Sequence, residues 1–203
     1  MKTEFLRWLL QEPRIIKDRS GKYDVFTHPV LHELCFPETR ATQKEAVTVR
    51  QAKVHEYLVH GKIDSILTLI NRPYRPDALW YLWSEIPTES LKEAIFSYVW
   101  SDTESPDEPV WHRLWNRVTK PVLDSSAARE WYGALSNHDT VTVYRGGRSQ
   151  NRSWSLSRST AGFFAKRFGG NESTVKSREI KKADIHGVFF DRQEREIVLA
   201  IQG

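Results

Sequence analysis

The chain has one cysteine, Cys35, among 203 residues. No disulfide can form within it, which excludes the stapled secreted scaffolds and fits a reducing compartment. No apolar run approaches the roughly 20 residues that cross a bilayer, so no membrane partner is expected. The opening stretch, MKTEFLRWLLQEPR, has apolar residues Phe5, Leu6, Leu9 and Leu10. Glu4, Arg7 and Glu12 interrupt them, so the stretch lacks the unbroken core of a secretory signal and reads as a short amphipathic helix. The expected location is the cytoplasm. There is no GxGxxG and no phosphate-loop lysine motif, which leaves Rossmann and nucleotide-triphosphatase readings without support. His28, His32 and Cys35 lie close in sequence, but no fourth ligand is near, and no metal is expected. No internal repeat is present.

What is there is a globular composition. Hydrophobic residues make up 39% and charged residues 28%, enough to bury a core and too apolar for disorder. The net charge of +4 and pI of 9.2 are mildly basic and permit an anionic partner.

The pattern changes near residue 138. Before it the periodicity is helical. ATQKEAVTVRQAKVHEYLVHG opens with Thr42 and Glu45 at capping-box spacing, and Gly61 is placed to stop it. KIDSILTLINRP puts Ile63, Ile66, Leu67 and Ile70 on one face. Thr88 is placed to cap a helix with an apolar stripe of Leu91, Ala94, Ile95 and Val99. Trp80 with Trp83, and Trp111 with Trp115, are at helical spacing and read as core. DSSAAREWYGAL is the last helix, and SDTESPDEP (101–109) reads as an acidic surface connector. After residue 138, TVTVYRG and STVKSREI alternate as strands, RSTAGFFAKRF reads as a helix, and IHGVFF and REIVLAI read as buried strands. The expected fold class is α+β, with a helical N-terminal region over 1–138 and a small split β-sheet core over 139–203.

Three short motifs of the last third carry chemistry. Tyr144-Arg145-Gly146 ends a strand, where an arginine fork can meet a phosphate pair and a glycine permits close approach of a ligand. In Ser153-Trp154-Ser155, alternation sends both serines to one face and Trp154 to the other. Glu194 and Glu196, at i and i+2 on a strand, are expected to share a face at the edge of the core. A carboxylate beside a ribose can accept its hydroxyl hydrogen bond and stabilise the positive charge that develops as a glycosidic bond breaks.

In this order, YRG, SxS and ExE resemble the arginine–serine–glutamate class of toxin-type mono-ADP-ribosyltransferases. The resemblance covers about residues 139–201 and includes Phe164-Ala165 in the helix after the serine motif. It implies NAD as co-substrate. Arg145 would hold the NAD phosphates, with Gly146 beside the nicotinamide amide and Tyr144 and Phe164 packing nearby. Ser153, with Ser155, would orient the ribose or the catalytic carboxylate. Glu196 would stabilise the breaking bond, and Glu194 would position or deprotonate the acceptor. No metal is implied.

The residues around the motifs are basic: Arg148, Arg152, Arg158, Lys166, Arg167, Lys176, Arg178, Lys181 and Lys182. That charge favours a nucleic-acid acceptor, RNA or DNA, over a protein arginine. The resemblance also implies an intracellular bacterial or phage toxin or effector, with an antitoxin or inhibitor protein as a further partner. The alternatives are an NAD glycohydrolase and a non-catalytic nucleic-acid- or partner-binding module on the same fold.

Overall fold

The structure is a computed structural model that describes residues 2–102, 109–147, 152–167, 169–191 and 194–200. Residues 103–108 of the expected connector, Arg148 and residues 192–193 lie outside the described residues. The fold is α+β, and its described residues form two compact units. One holds the chain up to Ile95 together with Asp102; the other holds Phe96–Ser101 and the described residues from Pro109 on. This division runs through a helix near residue 95, whereas the change of sequence pattern lies near 138.

In the first unit, α1 (Lys2–Leu9) buries Phe5 and Leu9. Three short strands follow, β1 (Arg14–Lys17), β2 (Asp24–His28) and β3 (Leu31–Leu34), as an antiparallel sheet in that order. The region 1–138, expected to be helical, thus contains strands as well as helices. Strands of four or five residues leave too little periodicity to stand out. The first turn is nevertheless built as a hairpin turn is, with Asp18 Oδ1 accepting from the amides of Lys22 at 2.9 Å and Tyr23 at 3.1 Å. All four residues of β1 are exposed, including Ile15 at 43% and Ile16 at 46%.

Helix α2 (Arg40–Val59) follows one 3-10 turn over Pro37–Thr39. Thr42 and Glu45 therefore lie inside the helix and form no cap; the preset φ of Pro37 starts the turn earlier. Gly61 ends the segment with φ 66°, a conformation that favours glycine. Helix α3 (Ile63–Leu69) buries Ile63, Ile66 and Leu67, and Ile70 follows them into the core. In α4 (Arg75–Leu82) the buried positions are Pro76, Ala78, Leu79 and Leu82. Trp80 and Trp83 are only half-buried, because the buried face of this helix is turned one residue from the tryptophan pair. Helix α5 (Glu89–Ser101) is capped by Thr88, whose Oγ1 accepts from the Leu91 amide at 3.2 Å. Its buried hydrophobic residues are Ile95, Phe96, Val99 and Trp100. Leu91 and Ala94 are exposed, so the expected stripe holds only in its second half.

In the second unit, α6 (Pro109–Trp115) buries Trp111 and Trp115. Strand β4 (Val122–Leu123) leads to α7 (Ser126–Ala134), capped by Ser125, whose hydroxyl accepts from the Ala128 amide. Then come β5 (Thr140–Arg145), β6 (Ser153–Ser155), α8 (Arg158–Arg167), β7 (Lys176–Lys181), β8 (Ile185–Phe189) and β9 (Glu196–Leu199). The six strands form one sheet in the order β4-β8-β9-β6-β5-β7. Only the β4–β8 pair is parallel. One face buries Val143, Ile180, Val188, Ile197 and Leu199 with Ala128 of α7. Aromatic side chains gather about Trp100, which meets Trp111 at 4.8 Å, Trp115 at 5.2 Å and Phe189 at 6.1 Å between ring centroids.

Candidate active site

Strand register brings the three motifs together. β6 lies between β5 and β9, and Ser155 pairs with Tyr144 on one side and Glu196 on the other. Residues directly opposite in an antiparallel pair project to the same side. Tyr144, Ser155 and Glu196 thus form a row across three strands, although they are far apart in the chain. Ser153 pairs with Val198, two places along on that side, while Trp154 packs against the opposite core with Ile197. The alternation read from Ser-Trp-Ser is what the sheet contains.

Arg145 is buried, at 8% exposure, and its Nη1 donates to the carbonyl of Ser153. The guanidinium fastens the end of β5 to the start of β6. Gly146 follows it against α8. A Cβ on Gly146 would overlap the carbonyl oxygen of Ala161 and the backbone of Ala165. The close packing of this helix requires a glycine here.

Ser155 is 7% exposed and makes two bonds. Its hydroxyl donates to the Glu194 carbonyl at 2.7 Å and accepts from the Ser157 amide at 3.0 Å. The serine therefore ties the turn before β9 to the segment that opens α8. Glu194 precedes the strand. Arg195 adopts φ 47°, a left-handed conformation uncommon for a side chain of this size, and β9 begins only at Glu196. The i, i+2 alternation expected for the two carboxylates is broken by that residue. Both glutamates are half-buried.

Glu196 has a partner that the motifs did not indicate. Trp100 Nε1 donates to Glu196 Oε2 at 3.2 Å. The two are nearly a hundred residues apart, and no local signal joins them. Phe164 is half-buried on α8, 5.6 Å from the ring of Phe163. Phe163 itself is 63% exposed.

The basic residues divide. Arg158, Lys166, Arg167, Lys176, Arg178 and Lys181 are exposed. Lys182 is committed elsewhere: its Nζ donates to the Leu135 carbonyl at 2.7 Å and lies 4.8 Å from the Tyr132 ring centroid. Arg152 is half-buried beside His112.

No family model, curated protein or solved structure matches the chain.

Proposed function

We propose that the chain is a mono-ADP-ribosyltransferase, an enzyme of the glycosyltransferase class with NAD as co-substrate. It cleaves the bond between nicotinamide and ribose and transfers ADP-ribose to a macromolecular acceptor, with a nucleic acid such as RNA favoured over protein arginine. The observation that carries this reading is the cross-strand row Tyr144–Ser155–Glu196, which joins the arginine, serine and glutamate motifs on adjacent strands.

In this reading Glu196, oriented by Trp100, accepts the ribose hydroxyl and stabilises positive charge at the ribose carbon. The electron pair of the breaking carbon–nitrogen bond leaves with nicotinamide. Glu194 takes the proton from the acceptor as its nucleophilic atom bonds to that carbon. The products are nicotinamide, the ADP-ribosylated acceptor and a proton. Ser153 orients the ribose side, and Arg145 serves the phosphates from the end of β5. Tyr144 and Phe164 flank the nicotinamide. Exposed Arg158, Lys166 and Arg167 give α8 a basic surface suited to a polyanionic acceptor. The setting that fits is the cytoplasm of a bacterial host, with the protein acting as a bacterial or phage toxin held in check by an antitoxin. No helix of the described residues is long and apolar enough to cross a membrane.

The test is incubation of the purified protein and a cell lysate with NAD labelled on its adenylate side, against a Glu196→Gln control. Label removed by nuclease identifies a nucleic-acid acceptor, and label removed by protease a protein acceptor. Nicotinamide release without labelling identifies a glycohydrolase. No release above the control overturns the enzymatic reading and leaves a binding module.

A further inference from the structure

The second unit contains a group of unused hydrogen-bond donors outside the three motifs. Arg152 Nε and Nη1, Trp115 Nε1 and His186 Nδ1 are buried with no hydrogen-bond partner among the described residues. The arginine and indole nitrogens can only donate, and a histidine nitrogen donates in one tautomer. Register and ring packing place these residues together. The Leu199 amide donates to the Arg152 carbonyl at 2.9 Å, and Leu199 pairs with Ile185, the neighbour of His186, where the β8–β9 register shifts. His186 stacks on Trp115 at 5.8 Å between centroids with planes 22° apart. His112, one turn before Trp115 on α6, presents Nδ1 at 3.2 Å from Arg152 Nη2. That nitrogen must accept, so the His112 proton lies on Nε2 and is a further donor.

Native proteins give buried polar atoms partners. Here donors arrive from three separate elements, and no acceptor answers them among the described residues. Burial lowers the pKa of Arg152, and among the described residues no carboxylate opposes it. Burial first, and then the charge of Arg152, lowers that of His186. A planar fork of N–H groups matches two oxygens of a tetrahedral oxyanion, and donors from other directions meet the remaining ones.

We propose that Arg152, with His112, His186 and Trp115, forms a binding site for a phosphate group, built from residues other than those of the Tyr144–Ser155–Glu196 row. The site stands on its own geometry. Its purpose, holding a phosphate of a nucleic-acid acceptor or of NAD itself, rests on the transferase reading.

The experiment follows the histidine ring nitrogens of the full chain by nuclear magnetic resonance during titration with inorganic phosphate. Ionic strength is held constant, and chloride and acetate serve as controls. The expected result is a saturable shift of the His112 and His186 resonances with phosphate and none with chloride or acetate. Arg152→Gln is expected to weaken the phosphate response about tenfold or more, and Arg152→Lys by less, since lysine keeps the charge and loses the fork. Circular dichroism checks that each variant folds. If Arg152→Gln does not fold, His112→Ala at an exposed position takes its place, and weaker phosphate binding is again expected. No saturable shift in the wild type, or an undiminished one in a folded variant, overturns the site. Competition at the same resonances then identifies the carrier. Displacement of phosphate by NAD, or by a short single-stranded oligoribonucleotide, supports the site and names its source; displacement by neither overturns the assigned purpose. Phosphate binding in a protein that releases no nicotinamide keeps the site and overturns only the transferase reading.

Discussion

The indole of Trp100, near the end of α5, donates to the carboxylate of Glu196 at the start of β9, 3.2 Å away. A buried donor fixes which way the carboxylate faces. In the proposed reaction Trp100 is a positioning residue, acting through Glu196. Trp100→Phe keeps a ring in the aromatic group and removes the donor. We expect kcat for nicotinamide release to fall about tenfold with little change in KM for NAD, in keeping with a lost charged hydrogen bond. Steady-state kinetics separate the two; a rise in KM alone would mean that Trp100 only shapes the pocket.

Glu196→Gln keeps the shape and an oxygen that can accept from Trp100, but removes the charge. Nicotinamide release is expected to drop by about a hundredfold or more, with an unfolding midpoint close to wild type. Retained activity would place the catalytic carboxylate elsewhere.

Glu194 sits before the strand, behind the left-handed Arg195. Glu194→Ala is expected to reduce transfer to acceptor by about ten- to a hundredfold while leaving hydrolysis of NAD by water far less affected. Nicotinamide release and acceptor labelling, measured in the same samples, check this. Equal losses in both would remove its role as acceptor base.

Two glycines make a matched test of packing. Gly146→Ala forces a methyl group into the backbone of α8 and is expected to cost about 2–4 kcal/mol. Gly133, in α7, has open space around it. Gly133→Ala is expected to stabilise by up to about 1 kcal/mol. Urea denaturation of both variants decides whether α8 is held as closely as described.

Acid should weaken the fold before the carboxylates titrate. His28 Nδ1 accepts from the Val30 amide at 3.2 Å, and its Nε2 lies 3.1 Å from the Gln11 carbonyl. This is the neutral ring, and burial lowers its pKa; burial also lowers those of His32 and His186. The unfolded chain, with histidines near 6.5, then binds more protons than the folded one at mildly acid pH. Stability is full above about pH 6.5 and falls as pH drops through the window below it. The urea midpoint should decrease between pH 7.5 and 5.5, and less steeply in His28→Gln. A midpoint that rises on acidification would contradict the neutral assignment.

The last third of the chain was legible because its signals are local. Trp154 flanked by serines announces a strand with two different faces, and Ile197 and Leu199 sit on the buried face that REIVLAI indicates. The α3 stripe was legible for the same reason. What the sequence concealed is non-local or involves a change of period. The four- and five-residue strands between 14 and 34 are too short to show alternation. The positive φ of Arg195 interrupts a pattern that reads as continuous. Gly146 announces a close approach but not what approaches. The Trp100–Glu196 bond depends on how α5 meets the sheet, which no spacing encodes.

Strand β1 carries a different kind of consequence. It is one of the two outer strands of its sheet, and Ile15 and Ile16 stand exposed between Arg14 and Lys17. Such an edge is a template for another copy of itself, and charges at its ends are the usual guard. Lys17 already shares its charge with Asp24 at 2.7 Å, so Arg14 guards one end of the edge without that compensation from its neighbour. Salt that screens the repulsion between these edge charges therefore bears on how β1 meets a second copy of the chain, at a strand far in sequence from the three motifs of the last third.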